Sequence, residues 1–271
     1  MMRKCVVLAL MLILNVVLVY SQTADDIIQK ALQAQGNENL RKFQSMKLSG
    51  KISSMGSEIP FKLFYKSPKS IRSEMTIDKK TIIQAFDGKE GWYINPEKSN
   101  SPEKMPDEML QQLRSQTNML ESPFTDYKKK GIKLKLVAKK KVDGKDAFQI
   151  KLTQKDGKSM YVFIEAGKYI FFKTLIDTKV QGKKMKVETT MKNHKNISGV
   201  LIPHYVENIV NGKVASTMIL DKVEANVKID DAVITYNTVI ANVTSITVDL
   251  DAATSIGIGS NFLLVRANRY G

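Results

Sequence analysis

Between Met46 and Val223 the chain alternates apolar and polar residues in run after run, and nearly every run ends at a glycine-bearing turn. Period two marks a strand with one buried face, because successive side chains leave opposite sides of the pleat. Met46, Leu48 and Ile52 alternate with Lys47, Ser49 and Lys51 before Ser54-Met55-Gly56 turns the chain; Ile59, Phe61, Leu63 and Tyr65 then form one side of a second run, and Ile71 to Ile77 a third. Thr81 to Phe86 and Trp92 to Ile94 flank Asp87-Gly88-Lys89-Glu90-Gly91, where glycine supplies the positive φ of a tight reversal. After Asp126 the pattern resumes. Ile132, Leu134 and Leu136, then Phe148, Ile150 and Leu152, are divided by Asp143-Gly144, and Asp156-Gly157 leads into Tyr161 to Glu165. Ile170, Phe172, Thr174 and Ile176 form one expected face, followed by Met185, Val187, Thr189 and Met191, and Asn211-Gly212 separates Tyr205–Val210 from Val214–Val223. About eleven antiparallel strands are expected, a sheet long enough to curl and enclose whatever fills its concave side.

Two places break the alternation. Thr23-Ala24-Asp25-Asp26 offers a capping hydroxyl and first-turn acids, and Ile27, Ile28 and Leu32 recur at helical spacing until Gln35-Gly36, so a first helix is expected, with a shorter turn at Leu40 and Phe43. Ser99, Ser101 and Pro102 read as a loop, after which Pro106-Asp107-Glu108 starts a helix that carries Met105, Met109, Leu110 and Leu113 on one face. This inserted helix reads either as a plug that closes the core or as a lid. Its methionines, flexible and polarizable, suit a surface that accommodates variable apolar partners.

The first residues, MMRKCVVLALMLILNVVLVYSQ, place Arg3 and Lys4 before an apolar core, with Val19 and Ser21 at the positions a signal peptidase reads. Cleavage after Ser21 is expected, since the apolar run is shorter than the ~20 residues of a membrane span. The only cysteine, Cys5, leaves with residues 1–21, so neither disulfide nor thiol chemistry is expected. The formal charge of +15 becomes +13 on loss of Arg3 and Lys4. Lysines alternate with apolar residues along strands, as in Ile132-Lys133-Leu134-Lys135-Leu136, and so line the wet face of a sheet; a nucleic-acid partner is not expected. Beyond Ala232 lysine disappears and small and β-branched residues take over. The expected organisation is a leader over 1–21, one domain over 22–231, and a tail over 232–271 with no assigned role.

Asp87, Gly88, Lys89, Trp92, Asn95 and Pro96, together with Lys66 and Pro68 upstream, resemble the corresponding hairpin and strand end of LolA, the periplasmic carrier of outer-membrane lipoproteins. The resemblance implies an α+β, mainly antiparallel fold: an incomplete, half-open LolA/LolB-like β-barrel wrapped around a few helices. It implies an apolar cavity for lipoprotein acyl chains, with an inner-membrane transporter and an outer-membrane acceptor as partners, a monomer in the periplasm, and no cofactor. Ile59, Phe61, Leu63, Tyr65, Trp92, Ile170, Phe172 and Ile176 are the candidate cavity wall, and Met105, Met109, Leu110 and Leu113 the candidate lid. In the family an arginine directly before the strand-end proline latches the lid. Ser67 stands there in this chain, and Lys66 beside it lacks a planar bidentate fork.

Catalytic constellations are missing: HExxH, GxSxG, a P-loop and CxxC do not occur, and the only histidines are His194 and His204. The expected activity is therefore binding and carriage without covalent chemistry. The alternative is a binding or sensor domain of the same architecture that recognises another amphiphile or an envelope protein.

Overall fold

The computed structural model describes residues 22–117, 124–180 and 183–235; the expected leader and the tail beyond residue 235 lie outside the described residues. The first helix, α1 (Ala24–Ala34), opens with a full capping box in which Thr23 and Asp26 satisfy each other's backbone N–H groups. A single turn, α2 (Asn37–Leu40), follows. The alternating runs then become strands: β1 (Ser45–Ser54), β2 (Ser57–Lys66), β3 (Ser70–Ile77), β4 (Lys80–Phe86) and β5 (Gly91–Asn95). The stretch expected to be a loop is instead β6 (Ser99–Lys104). Its Pro102 cannot donate to a ladder, a loss that an edge strand tolerates on its unpaired side, and β6 is an edge. The inserted helix is α3 (Asp107–Gln116).

The second meander comprises β7 (Lys133–Val142), β8 (Lys145–Thr153), β9 (Ser159–Glu165), β10 (Phe171–Val180), β11 (Lys183–Ile197), β12 (Val200–Val210) and β13 (Lys213–Ala225). At Asp143-Gly144 and Asn211-Gly212 both turn residues have positive φ, the geometry whose twist matches the strands it joins. In all, thirteen strands form one open antiparallel sheet in the order β6-β5-β4-β3-β2-β1-β13-β12-β11-β10-β9-β8-β7. The fold is the expected half-open barrel with two more strands than anticipated.

Every neighbouring pair in this order is a local hairpin or short connection except β1 and β13. β6 and β7, consecutive in the chain, are the two free edges, and β1 pairs with β13 across almost the whole domain, Met46 opposite Ala225 and Ser54 opposite Ser216. This seam contains a bulge at Gly50, where β13 carries Asp221 as its extra residue. A Cβ at position 50 would stand 2.0 Å from the Ile219 carbonyl oxygen, a close approach that only glycine permits.

Helices cover one face of the sheet in two apolar packs. α3 lies against β1–β5, burying Met105 and Leu113 with Phe61, Leu63, Ile71 and Phe86. α1 lies against β7–β10, burying Ile27, Ile28 and Leu32 with Ile150, Val162 and Ile164. All three helices are fastened at the same end of the sheet. Gln22 donates to the Tyr169 hydroxyl in the β9–β10 connection, Leu201 N–H donates to the Gln35 carbonyl beside the β11–β12 turn, and Met105 N–H donates to the carbonyl of Gly91 where β5 begins. The β1–β2, β10–β11 and β12–β13 turns sit at the opposite end, as strict antiparallel pairing requires.

Gly50→Ala is expected to lower stability by ~2 kcal/mol or more, because a backbone carbonyl cannot yield as a side-chain tip can. Chemical denaturation checks this; an unchanged midpoint would show that the seam tolerates a wider bulge.

Candidate functional site

Cross-strand register sorts the inner face into rows. Met191, Val206, Met218, Ile52 and Ile59 stand side by side on β11, β12, β13, β1 and β2. Ile52 and Ile59 are buried under the α3 pack, whereas Met191, Val206 and Met218 are half-buried, between the regions that α1 and α3 cover. Ile176, opposite Val187, extends this half-covered apolar floor toward the end remote from the helices.

One register step away lies a polar row. Thr174, Thr189, Asn208, Ser216, Ser54 and Ser57 occupy adjacent places on six neighbouring strands, β10 through β2. Its centre is enclosed, with Asn208 5% and Ser216 1% exposed. Burial without partners would be costly, and the row satisfies itself: Thr189 Oγ1 donates to Asn208 Oδ1 at 2.8 Å, Asn208 Nδ2 donates to Ser216 Oγ at 3.2 Å, and Ser54 Oγ donates to the Ala215 carbonyl at 3.1 Å.

The expected wall residues divide between the two faces. Ile59, Phe61, Leu63 and Tyr65 converge on the inner face with the whole lid set: Met105 and Leu113 are buried, while Met109 and Leu110 pack alongside. Ile176 also faces inward, against the α1 pack. Ile170 precedes β10, half-buried and outside both packs. Phe172 is a correction, because it is the extra residue of a bulge against β9 and so turns outward, to Phe163 and Ala147; Phe171 takes the inner place. Trp92 is a second correction. It pairs with Ala85, while the inward Phe86 pairs with Gly91, so period two sends the indole to the outer face.

There Trp92, 2% exposed, grips the C-terminal segment. Its Nε1 donates to the Ile234 carbonyl at 2.8 Å, Arg72 lies over its ring and donates through Nη1 to the Val233 carbonyl at 2.8 Å, and Lys66 pairs with Asp231. Ile234 is buried, so the boundary expected at Asp231 falls inside a docked segment. α3, for its part, is fastened from the helix side: the Arg114 guanidinium sits 5.1 Å from the centroid of Phe86. α3 docks close over Gly91, where a Cβ would meet Leu110 Cδ1 at 2.5 Å.

The histidines do not form a pair. His204 follows the inward parity of Val206 and Asn208, and His194, opposite Pro203, faces outward. Burial, reinforced by the positive charge of Lys145, pushes the His194 imidazole below its ordinary pKa. Among the described residues no group of three or more His, Cys, Asp or Glu could hold a metal ion, and no helix is long and apolar enough to cross a membrane.

No family model matches the sequence, and no curated protein does. Solved structures do match. A LolA superfamily protein from Nitrosomonas europaea superposes with a TM-score of 0.50 at 14% identity, covering 80% of this chain and 99% of that one. A DUF1329 family protein from Desulfovibrio piger gives 0.53 at 12% identity, covering 81% and 100%. A domain named for outer membrane lipoprotein sorting, from Vibrio parahaemolyticus, gives 0.51 at 11% identity, covering 79% and 99%. The fold of this chain is LolA-like.

Two substitutions probe the site. Gly91→Val is expected to lift α3 at a cost of ~1–3 kcal/mol, seen as faster amide exchange across Asp107–Gln116 with β1 and β2 unchanged. Trp92→Phe keeps the ring but loses the bond to Ile234, and limited proteolysis is expected to cut near residues 231–235 sooner than in the parent protein. Equal cleavage rates would mean that Arg72 and Lys66 hold the segment without the indole.

Proposed function

We propose that this LolA-like chain is a periplasmic carrier that shelters the acyl chains of lipoproteins in its concave interior, without covalent chemistry, for sorting to the outer membrane. The observation that supports this best is the half-covered floor of Met191, Val206 and Met218 between two helix-sealed packs. At ~0.8 kcal/mol per methylene, an acyl chain of ~14 methylenes costs on the order of 11 kcal/mol if left in water, which a surface patch cannot offset and an enclosing trough can. α3 covers apolar residues of β1–β5 that would take up acyl chain once the helix lifts. Met105 and Met109 would follow a changing partner with little strain. Loading then exchanges a protein contact for a lipid contact on the same wall, so opening and binding share one free-energy balance. Export through a cleaved leader, handover from an inner-membrane transporter to an outer-membrane acceptor, and action as a monomer complete the reading. Without an arginine at Ser67, α3 is held by its own apolar face and by Arg114 over Phe86.

Organic extraction of the purified protein followed by mass spectrometry is expected to release acyl lipids. A Val206→Thr, Met218→Gln variant, polar at half-buried places, is expected to hold at least about fivefold less of a fluorescent fatty-acid probe with little change in melting temperature. An empty extract, together with no probe uptake by delipidated protein, would overturn carriage.

A further inference from the structure

Eight lysines and no acid lie between Tyr127 and Val142: Lys128 to Lys130, Lys133, Lys135 and Lys139 to Lys141, of which Lys128 pairs with Asp25 and Lys129 with Asp126 ahead of β7. Elsewhere on the sheet many lysines are matched to carboxylates, as in Lys51–Glu58, Lys145–Glu165, Lys173–Glu188 and Lys222–Glu224. β7 departs from this. Lys133, Lys135 and Lys141 are exposed and form no ion pair with any described residue, while Lys139 and Lys140 lie over the rings of Phe148 and Phe163.

Position makes the imbalance directional. β7 is a free edge of the sheet, ten residues long and therefore a ridge of ~33 Å. Val137 is its bulged residue, and the bulge shifts parity, so Lys133, Lys135 and Lys140 stand on the outer side and Lys139 and Lys141 on the inner side. Charge flanks the edge from both faces. Val137 itself is 45% exposed in the middle of the ridge. A few lysines suffice to stop strands adding to an edge. They do not account for a run of this length free of acids, or for an exposed valine at its centre.

We propose that the β7 edge docks on the surface of a bilayer rich in anionic phospholipid, with lysines at the headgroups and Val137 at the acyl boundary. A cationic edge fits an extended anionic surface, and its lysine stems can follow the headgroups while the sheet stays rigid. Docking here would also bring the open side of the shell, between β7 and β6, to the membrane; that consequence rests on the carrier reading, whereas the docking itself does not.

Vesicle co-sedimentation tests it. The protein is expected to bind vesicles containing phosphatidylglycerol and not purely zwitterionic ones, and to release at ~1 M salt. A Lys133→Glu, Lys135→Glu, Lys141→Glu variant is expected to bind more than about tenfold more weakly, and Val137→Ser a few fold more weakly. A control reversed at Lys42, Lys62 and Lys89, exposed on the other half of the sheet, is expected to bind like the parent. Should the triple reversal melt early, Lys133→Gln, Lys135→Gln replaces it, with a smaller loss in the same direction. Equal binding to both vesicle types, equal loss in the control, or binding only to soluble polyanions such as heparin or acidic peptides would overturn the proposal. Extraction of acyl lipid from the same variants separates the two readings, since loss of docking with cargo retained leaves carriage standing.

Discussion

The pairing of β1 with β13 is the contact on which the architecture depends. Each meander assembles from hairpins whose partners are neighbours in sequence, but the seam joins Met46 to Ala225 and closes the longest loop in the domain. Loop-closure entropy grows only with the logarithm of length, so the seam is affordable once its local geometry is right. Gly50 makes the backbone approach at its bulge feasible, and the polar row running through Asn208, Ser216 and Ser54 selects the register. A slip of one residue would place Ser216 and Asn208 against the wrong face and leave buried polar groups without partners.

With the seam made, the remaining freedom lies at β6 and β7. The sheet does not close there, and each edge is protected in its own way: β6 is short and carries Pro102, while β7 is lined with lysines and bent by a bulge. The helices gather at one end of the sheet and leave the middle of the concave face half-covered. A fully closed barrel would fix the interior volume. A half-open one leaves α3 fastened by side chains and one backbone contact near its start, outside the strand pairing.

Much of this was legible in residue order. The alternation placed most of the strands, the Thr23 cap and the spacing of Ile27, Ile28 and Leu32 placed α1, and Met109, Leu110 and Leu113 pack toward the core as their helical spacing implied, with Met105 joining them from just before the helix. β6 was missed because a proline among serines carries no apolar alternation, and an edge strand needs none. Phe172 was assigned to the wrong face because a bulge changes parity without leaving a mark in composition. The polar row was invisible, since Thr189, Asn208 and Ser216 come from three strands and meet only through register.

What the sequence by itself determined is the period: an antiparallel, hairpin-built sheet with two short amphipathic helices to cover it. Period two reports that a residue has two faces but not which face is the inside. That choice was made only in the tertiary structure, where pairing across the sheet sent Trp92 outward to hold the C-terminal segment and turned Met191, Val206 and Met218 inward as a shared floor. The physical reason is that side-chain direction is local, whereas the identity of the buried face depends on long-range pairs and bulges that no single stretch encodes.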